Sequence, residues 1–242
     1  MSVPPARASE IHVYSGGAPQ RVLSALFPAF ERATGHLVVA TFQIVSQIQE
    51  RLAAGERPDL ILLPEQLLAE TGKTVPLRTE GRGVLARIGI GVIVSAGADR
   101  PDLSGEAGVR SLLQGAKAIA LSDPRTPSGQ HLDRLFARLG LSDELKGRLI
   151  RKAAIHGGGE LVASGEANLG LYLVSEVQHI DGVRVAGLLP PGLQQHVVYA
   201  TGIPATSRSP EAALSLIRFL TAPDHAALWK EGGFEPADRA TR

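Results

Sequence analysis

The sequence predicts an α/β fold built around a parallel sheet, and three observations carry that expectation. The opening alternates short apolar runs with helical patterns in the order β-α-β-α-β. The third run, DLILLP (Asp59–Pro64), is continuously apolar after its aspartate, as expected of a strand covered on both faces. With 242 residues, 44% of them hydrophobic, the chain can bury a sizeable core in one large domain or two smaller ones.

The elements follow in order. Ile11 to Tyr14 reads as a short buried strand, broken by SGGAPQ. Pro19 suits the first turn of a helix, where a missing N–H costs nothing. Val22, Leu23, Leu26, Phe27 and Phe30 recur at helical spacing, and Gly35 is the expected stop. Leu37 to Phe42 forms the second strand, and Ser46 stands at or near the start of a second helix that ends by Gly55. Gly83 to Gly97 is β-rich and punctuated by glycines, and Ala118 to Asp123 (AIALSD) is another buried strand. The segment SDPRTPSGQHLDRLFARLGL (Ser122 to Leu141) then passes from a turn-rich loop into an amphipathic helix. Leu132, Leu135, Phe136 and Leu139 form that helix's buried stripe, and Gly140 closes it. A glycine loop, a short helix and a strand follow, then a second β crossing at Gln194 to Ala205. Two helical pieces split near Pro223 finish the chain, with Ser209 as a cap before Pro210.

Composition excludes several functions. A formal net charge of +1 gives no electrostatic case for nucleic acid or membrane as a partner. Aromatic residues make up 4%, too few for stacking platforms. The chain has no cysteine, so disulfides and thiolate metal sites are out. No apolar run is long enough to span a bilayer. The N-terminus lacks the apolar core of a signal peptide, yet Ala6-Arg7-Ala8 has the A-x-A form of a cleavage site. A cytoplasmic protein with a loose arm and a processed or truncated exported protein both remain open.

The chemistry-bearing candidates are donors rather than nucleophiles. Ser15, Ser46 and Ser128 each sit at a strand-to-helix junction, where free backbone N–H groups and the helix dipole can hold a small anion. N-capping is the competing explanation for each. Such loops converge at the carboxyl ends of strands in an open α/β sheet. Gly157-Gly158-Gly159 is a second donor-rich loop, with a flexible turn as its alternative; it is not a P-loop, and no dinucleotide fingerprint is present. Arg125 is the charged residue inside the opening loop of SDPRTPSG, either a solvated surface residue or a bidentate partner for a carboxylate. Tyr172 and Tyr199 are candidate hydroxyl donors or packed core residues. The seven histidines are dispersed without metal-ligand spacing. No G-x-S-x-G elbow appears. No catalytic residue, metal or cofactor is therefore expected.

In this order, FPAFERATGHLVVATF, IQERLAAGERPDLILLP, LSDPRTPSGQHLDRLFARLGL, LVASGEANLGLYLVSEV, GLLPPGLQQHVVYATGI and AALSLIRFLTAP resemble the molybdate-binding-protein-like (ModA-type) periplasmic substrate-binding proteins. The resemblance covers roughly residues 10 to 236. It implies a type II periplasmic-binding-protein fold: two α/β lobes joined by two crossing strands. The lobes would be residues 1–86 with 201–242, and residues 87–200. It also implies that an oxyanion such as molybdate, or a small organic carboxylate, is captured in an interlobe cleft for an ABC transporter permease by a periplasmic monomer. Ser15, Gly16 and Ser46 would contribute from one lobe. Arg125, Pro127, Ser128, Gly158, Gly159 and Tyr172 would contribute from the other. Where molybdate binders resemble G-I-V-Y-G-S-D-A, this chain has LGLYLVSEV, and the motif tyrosine falls on Leu173. The same family resembles the aconitate isomerases, so an isomerase of an unsaturated tricarboxylate is the alternative, with His156 or Glu160 as candidate bases. A cytoplasmic ligand sensor is the second alternative.

Overall fold

A computed structural model describes residues 8–236. The Ala6-Arg7-Ala8 expectation falls largely outside the described residues. The chain forms two compact units. Of the described residues, the first takes residues 8–86, Val198–Lys230 and Pro236; the second takes Arg87–Val197 and Glu231–Glu235.

The first unit opens with β1 (Glu10–Gly16), α1 (Gln20–Thr34), β2 (Leu37–Gln43), α2 (Val45–Ala53), β3 (Leu60–Pro64) and α3 (Glu65–Thr71). The expected β-α-β-α-β alternation is present. Both β2 and β3 pair in parallel with β1. All five residues of β3 are buried, which is why its sequence is apolar without alternation. Gly35 ends α1 in the left-handed region at φ 75°, and its N–H closes on the Glu31 carbonyl. Pro19 precedes the first helical residue rather than occupying it, and Pro28 lies inside the helix. The Gly83–Gly97 stretch divides into β4 (Gly83–Ile88) and β5 (Ile90–Ser95).

The second unit continues from β5 with α4 (Glu106–Gly115), β6 (Ile119–Leu121), α5 (Pro127–Arg138), α6 (Ser142–Leu145), β7 (Leu149–Arg151), α7 (Glu160–Ala163), β8 (Leu169–Leu173), α8 (Val174–Val177) and β9 (Val183–Leu188). Then β10 (Val197–Gly202) carries the chain back, followed by α9 (Pro210–Leu220), α10 (Ala226–Glu231) and β11 (Phe234–Pro236). Strands β4 and β10 each contain a point where the chain passes from one unit to the other, the two crossing strands of the expected fold, and the chain passes again between Lys230 and Glu231 and between Glu235 and Pro236.

The opening strands β1, β2 and β3 are parallel as expected, and both sheets also carry antiparallel strands. One is six-stranded, in the order β11-β4-β10-β3-β1-β2; the other is five-stranded, in the order β7-β6-β8-β5-β9. Strand β10 returns antiparallel to β3, and β5 lies antiparallel to both β8 and β9. Strands β6, β7 and β8 are parallel to one another, so their carboxyl ends point the same way.

Each unit has its own core. In the first, Tyr14, Ile48, Leu52, Ile61, Leu63 and Leu68 pack α2 and α3 against the sheet. Asp59 is buried just before β3, and its carboxylate accepts hydrogen bonds from the Ser207 hydroxyl and from the N–H groups of His12, Arg208 and Ser209. Burial alone would raise its pKa; the four donors outweigh burial and hold it below the usual carboxylate range. Ser209 stands at the cap position of α9, but its hydroxyl donates to the Glu10 carbonyl at 3.2 Å instead of capping the helix. In the second unit, Ile93, Ala120, Val162, Tyr172 and Val177 form a buried cluster.

Candidate functional site

Three strand-to-helix junctions carry the expected serines, each in a different setting. Ser15 lies within β1 rather than after it, opposite Phe42 and Leu62. It is fully buried, and its hydroxyl donates to the Gly16 carbonyl at 3.0 Å. Gly16 is also buried. A Cβ there would stand 2.8 Å from the Tyr199 hydroxyl oxygen, so only glycine lets that ring close down on the strand end. Ser46 is the second residue of α2, after the extended Ile44. Among the described residues the N–H groups of Val45 and Ser46 have no partner, since the first bonds of the helix come from Gln47 and Ile48 to the Ile44 carbonyl.

The Ser122–Leu141 segment is built more tightly than its sequence suggests. Thr126, not Ser128, is the N-cap of α5: its hydroxyl oxygen accepts the Gly129 N–H at 3.1 Å and its hydroxyl donates to the Asp123 carbonyl at 2.7 Å. Pro127 takes the first helical position, where its missing N–H is no loss. Ser128 follows inside the first turn, buried, with its hydroxyl 3.2 Å from that of Thr126. The Ser128 N–H has no partner among the described residues. The capping rules favour Thr and Ser alike, which is why sequence could not choose between positions 126 and 128.

Arg125 is exposed, and its guanidinium grips Asp123 with both nitrogens at 3.0 Å. Its carboxylate partner in this structure is thus the aspartate two residues before it. The Arg125 guanidinium, helped more weakly by the field of Arg151, holds the Asp123 carboxyl below the usual range.

The glycine loop is explained by packing. Gly157 has φ 84°, a conformation that favours glycine. Gly158 lies where a Cβ would meet the Lys152 carbonyl oxygen at 2.3 Å and the Tyr172 hydroxyl at 2.5 Å, and its N–H is taken by the Ala153 carbonyl. Gly159 is pressed against Ile180 and Val177, but its N–H has no partner among the described residues. Tyr172 is fully buried in the core of the second unit, and its hydroxyl donates to the Lys152 carbonyl at 3.0 Å. Burial, reinforced by the nearby Glu176 and Glu160, pushes its phenol pKa up. A hydroxyl so committed braces the glycine loop. His156 and Glu160, the candidate bases, are both exposed.

Sequence reasoning passed over four side chains. Ser122, Arg151 and Ser175 carry buried polar atoms without a partner: the two hydroxyl oxygens and Nη1 of the guanidinium. Glu176 occupies the third position of α8, and its enclosed carboxyl accepts the backbone N–H of the capping Leu173. Burial raises it to about 7, with that hydrogen bond opposing. Ser122 and Ser175 lie in the stretches LSDPRTPSG and LYLVSEV, but nothing in a sequence marks a hydroxyl as unpartnered. Arg151 lies on a strand of three residues, too short to give a pattern. Among the described residues no group of three or more His, Cys, Asp or Glu side chains is placed to hold a metal ion.

Two α/β lobes on two crossing strands, with open amides where strands run out into helices, define a type II, ModA-like solute-binding protein. The chain belongs to the bacterial extracellular solute-binding protein family, whose pattern matches residues 11–235. Among curated relatives, an aconitate isomerase of a Pseudomonas species is 31% identical over 232 residues, covering 93% of this chain and 87% of the relative. The molybdate-binding protein ModA of Azotobacter vinelandii is 25% identical over 238 residues, covering 95% of this chain and 91% of the relative. Among solved structures, the Azotobacter vinelandii periplasmic molybdate-binding protein superposes with a TM-score of 0.77 at 20% identity, covering 94% of this chain and all of that one. No helix among the described residues is long and apolar enough to cross a membrane.

Proposed function

We propose that this chain is an exported solute-binding protein that captures a small anion, an oxyanion or an organic carboxylate, and presents it to an ABC transporter. The observation that supports this best is the set of unpartnered first-turn amides at Val45, Ser46 and Ser128, each where a strand has just run into a helix. Such donors hold an anion without requiring a net positive protein, in keeping with a formal charge of +1. Ser46 and Ser128 are the serines we assign to the anion. Ser15, Gly16, Pro127, Gly158 and Gly159 shape the loops that present those donors. Contacts made only in a closed form would stabilise that form when ligand arrives. The test is a thermal-shift screen with molybdate, tungstate, sulfate and di- and tricarboxylates. A true ligand at about 100 times its Kd adds about 2.7 kcal/mol of stability. No shift with any of them would overturn the reading.

A second reading, isomerisation of an unsaturated tricarboxylate, is favoured by the 31% identity with an aconitate isomerase over nearly the whole chain. It requires a group that removes a proton from one carbon of the allylic system and delivers one to another. Glu176, with a pKa raised to about 7, is the carboxyl best tuned for that exchange. Proton NMR of cis- and trans-aconitate incubated with the protein decides it: interconversion above the protein-free control supports the enzyme, and none eliminates it.

A further inference from the structure

We propose that Gln194 is a positioning residue for anion capture: its carboxamide ties together the inner ends of the two crossing strands and fastens both to α5, the helix that carries the open Ser128 amide. The proposal rests on the anion-binding reading above and names a residue that acts on that site from a distance.

The long stretch of the second unit runs from Arg87 to Val197, and Ile90 and Gln194 each lie three residues inside one of its ends (90 less 87, 197 less 194). Ile90 follows β4 with only Gly89 between, and Gln194 stands shortly before β10. One carboxamide joins them. Gln194 Oε1 accepts the Ile90 N–H at 3.0 Å, and Nε2 donates to the Ile90 carbonyl at 3.0 Å. The rest of the group's bonding capacity is also used: Nε2 donates to the Leu189 carbonyl at 3.4 Å, and Oε1 accepts the Gln195 N–H at 3.1 Å. The carboxamide replaces half a rung of the sheet. The register pairs Gly91 of β5 with Leu188 of β9, which brings Ile90 level with Leu189. Leu189 donates its N–H to the Ile90 carbonyl at 3.1 Å, as antiparallel pairing requires. The return bond runs through the side chain, from the Ile90 N–H to Gln194 and from Gln194 to the Leu189 carbonyl. Gly89 permits the approach, since a Cβ there would stand 3.0 Å from Gln194 Nε2 and 3.3 Å from Leu188 Cδ2.

Helix α5 grips the loop that bears Gln194 at three points. His131 Nε2 donates to the Leu193 carbonyl at 2.8 Å, Arg134 Nη2 to Gln195 Oε1 at 3.2 Å, and Arg138 Nη2 to the Gly192 carbonyl at 2.9 Å. Spacings of three and four residues set these side chains in one row along the helix. Helix, loop, carboxamide and strand thus form a continuous run of hydrogen bonds from the anion-binding turn to the strand by which the chain enters the unit. A chain that bends where it passes between units absorbs the change over a few residues and needs a fixed end to bend against. Gln194 supplies that end for both crossing strands at once. An anion that orders the start of α5 therefore also orders the crossing, and by linkage loss of the carboxamide costs anion affinity.

The experiment combines isothermal titration calorimetry of the full chain with hydrogen–deuterium exchange at the Ile90 amide. The probes are molybdate and tricarballylate, a saturated tricarboxylate that offers no allylic proton shift; whichever binds wild type is carried through the variants. Gln194→Met keeps the side chain's length without its hydrogen bonds and should weaken binding about tenfold. Arg138→Met removes only the grip on Gly192, about 15 Å along the helix from Ser128, and should weaken binding about threefold. Added to Gln194→Met, it should change affinity by less than about 1.5-fold, because the run is already broken. In wild type the bound anion should slow exchange of the Ile90 amide about threefold or more, and in Arg138→Met that slowing should shrink. Unchanged affinity in Gln194→Met overturns the proposal, since the carboxamide is then a structural bond alone, and so do effects that simply multiply in the double variant. Should Gln194→Met fail to fold, Arg138→Met decides: unchanged affinity together with undiminished slowing at Ile90 overturns the proposal. In each of these cases wild type still binds and the anion reading stands. A wild type that binds neither anion overturns that reading and this proposal with it.

Discussion

Gly129→Ala is the sharpest probe of how the start of α5 is built. A Cβ at Gly129 would lie 2.0 Å from the Asp123 carbonyl oxygen, 2.7 Å from its carbon and 3.0 Å from Pro124 Cα. Ordinary contact begins at 3.4 Å, so the chain must open by 1.4 Å at the oxygen (3.4 less 2.0). That oxygen accepts the Thr126 N–H at 3.0 Å and the Thr126 hydroxyl at 2.7 Å, so yielding means loosening the cap. Against this stands the helix propensity of alanine, worth about 1 kcal/mol over glycine. Overpacking costs about 1–3 kcal/mol, and a weakened cap about 1 kcal/mol more. With a clash against backbone at the upper end of that range, the net is a loss of about 2–3 kcal/mol. In a chain of this size each kcal/mol moves the midpoint by about 2–4 °C, so a drop of about 4–12 °C is expected in thermal unfolding followed by circular dichroism. Anion affinity should fall as well, because the Ser128 amide moves with the cap. An unchanged or higher midpoint would refute the reasoning, since propensity would then have outweighed the clash.

Asp59→Asn replaces an acceptor of four hydrogen bonds and should cost about 2–4 kcal/mol in urea unfolding at pH 7. Because the folded carboxyl titrates below its unfolded value, its stabilisation is complete above that value and is lost as pH falls through the folded one. The gap between variant and wild type should therefore narrow in acid; a constant gap would contradict the assignment. Glu176→Gln has the opposite sign. Between the ordinary value of 4.5 and about 7 the folded form keeps a proton that the unfolded form releases, so wild-type stability falls across that window and stays low above it. The variant should gain up to about 3 kcal/mol on wild type at pH 8 and little at pH 4.5, read from denaturant midpoints at the two pH values. Tyr172→Phe should lower stability by about 1–2 kcal/mol while leaving anion affinity unchanged, because its hydroxyl serves the Lys152 carbonyl. A loss of affinity without a loss of stability would return Tyr172 to the ligand.

What the sequence made legible was whatever depends on local pattern. The apolar run of β3, the buried stripe of α5 and the left-handed glycine after α1 were readable because each follows from strand burial, helical spacing or a missing Cβ. The antiparallel return of β10 beside β3 was not, since pairing direction leaves no trace in the periodicity of a strand buried on both faces. Side-chain commitments were equally hidden. Tyr172 and Arg125 carry the groups a ligand would want, yet one hydroxyl is spent on Lys152 and one guanidinium on Asp123. The donors left over, on Ser122, Arg151 and Ser175, are known only once every competing acceptor has been placed.

The same consideration bears on the choice between binder and isomerase. The fold and the open amides serve either role, because both must first hold an anion and shield it. The difference lies in whether the held molecule meets a group able to exchange a proton. Near neutral pH a carboxyl with a pKa of about 7 is populated in both forms, whereas one at the usual value is almost wholly ionised and a weak base. Glu176 satisfies that energetic condition, but its carboxyl also accepts the Leu173 N–H and closes the first turn of α8, a structural role that needs no substrate. The two roles separate in one variant. Glu176→Asp keeps the charge but shortens the side chain by one methylene. A capping role predicts a modest loss of stability with isomerisation and binding scaling together. A proton-transfer role predicts loss of turnover while tricarballylate affinity is retained.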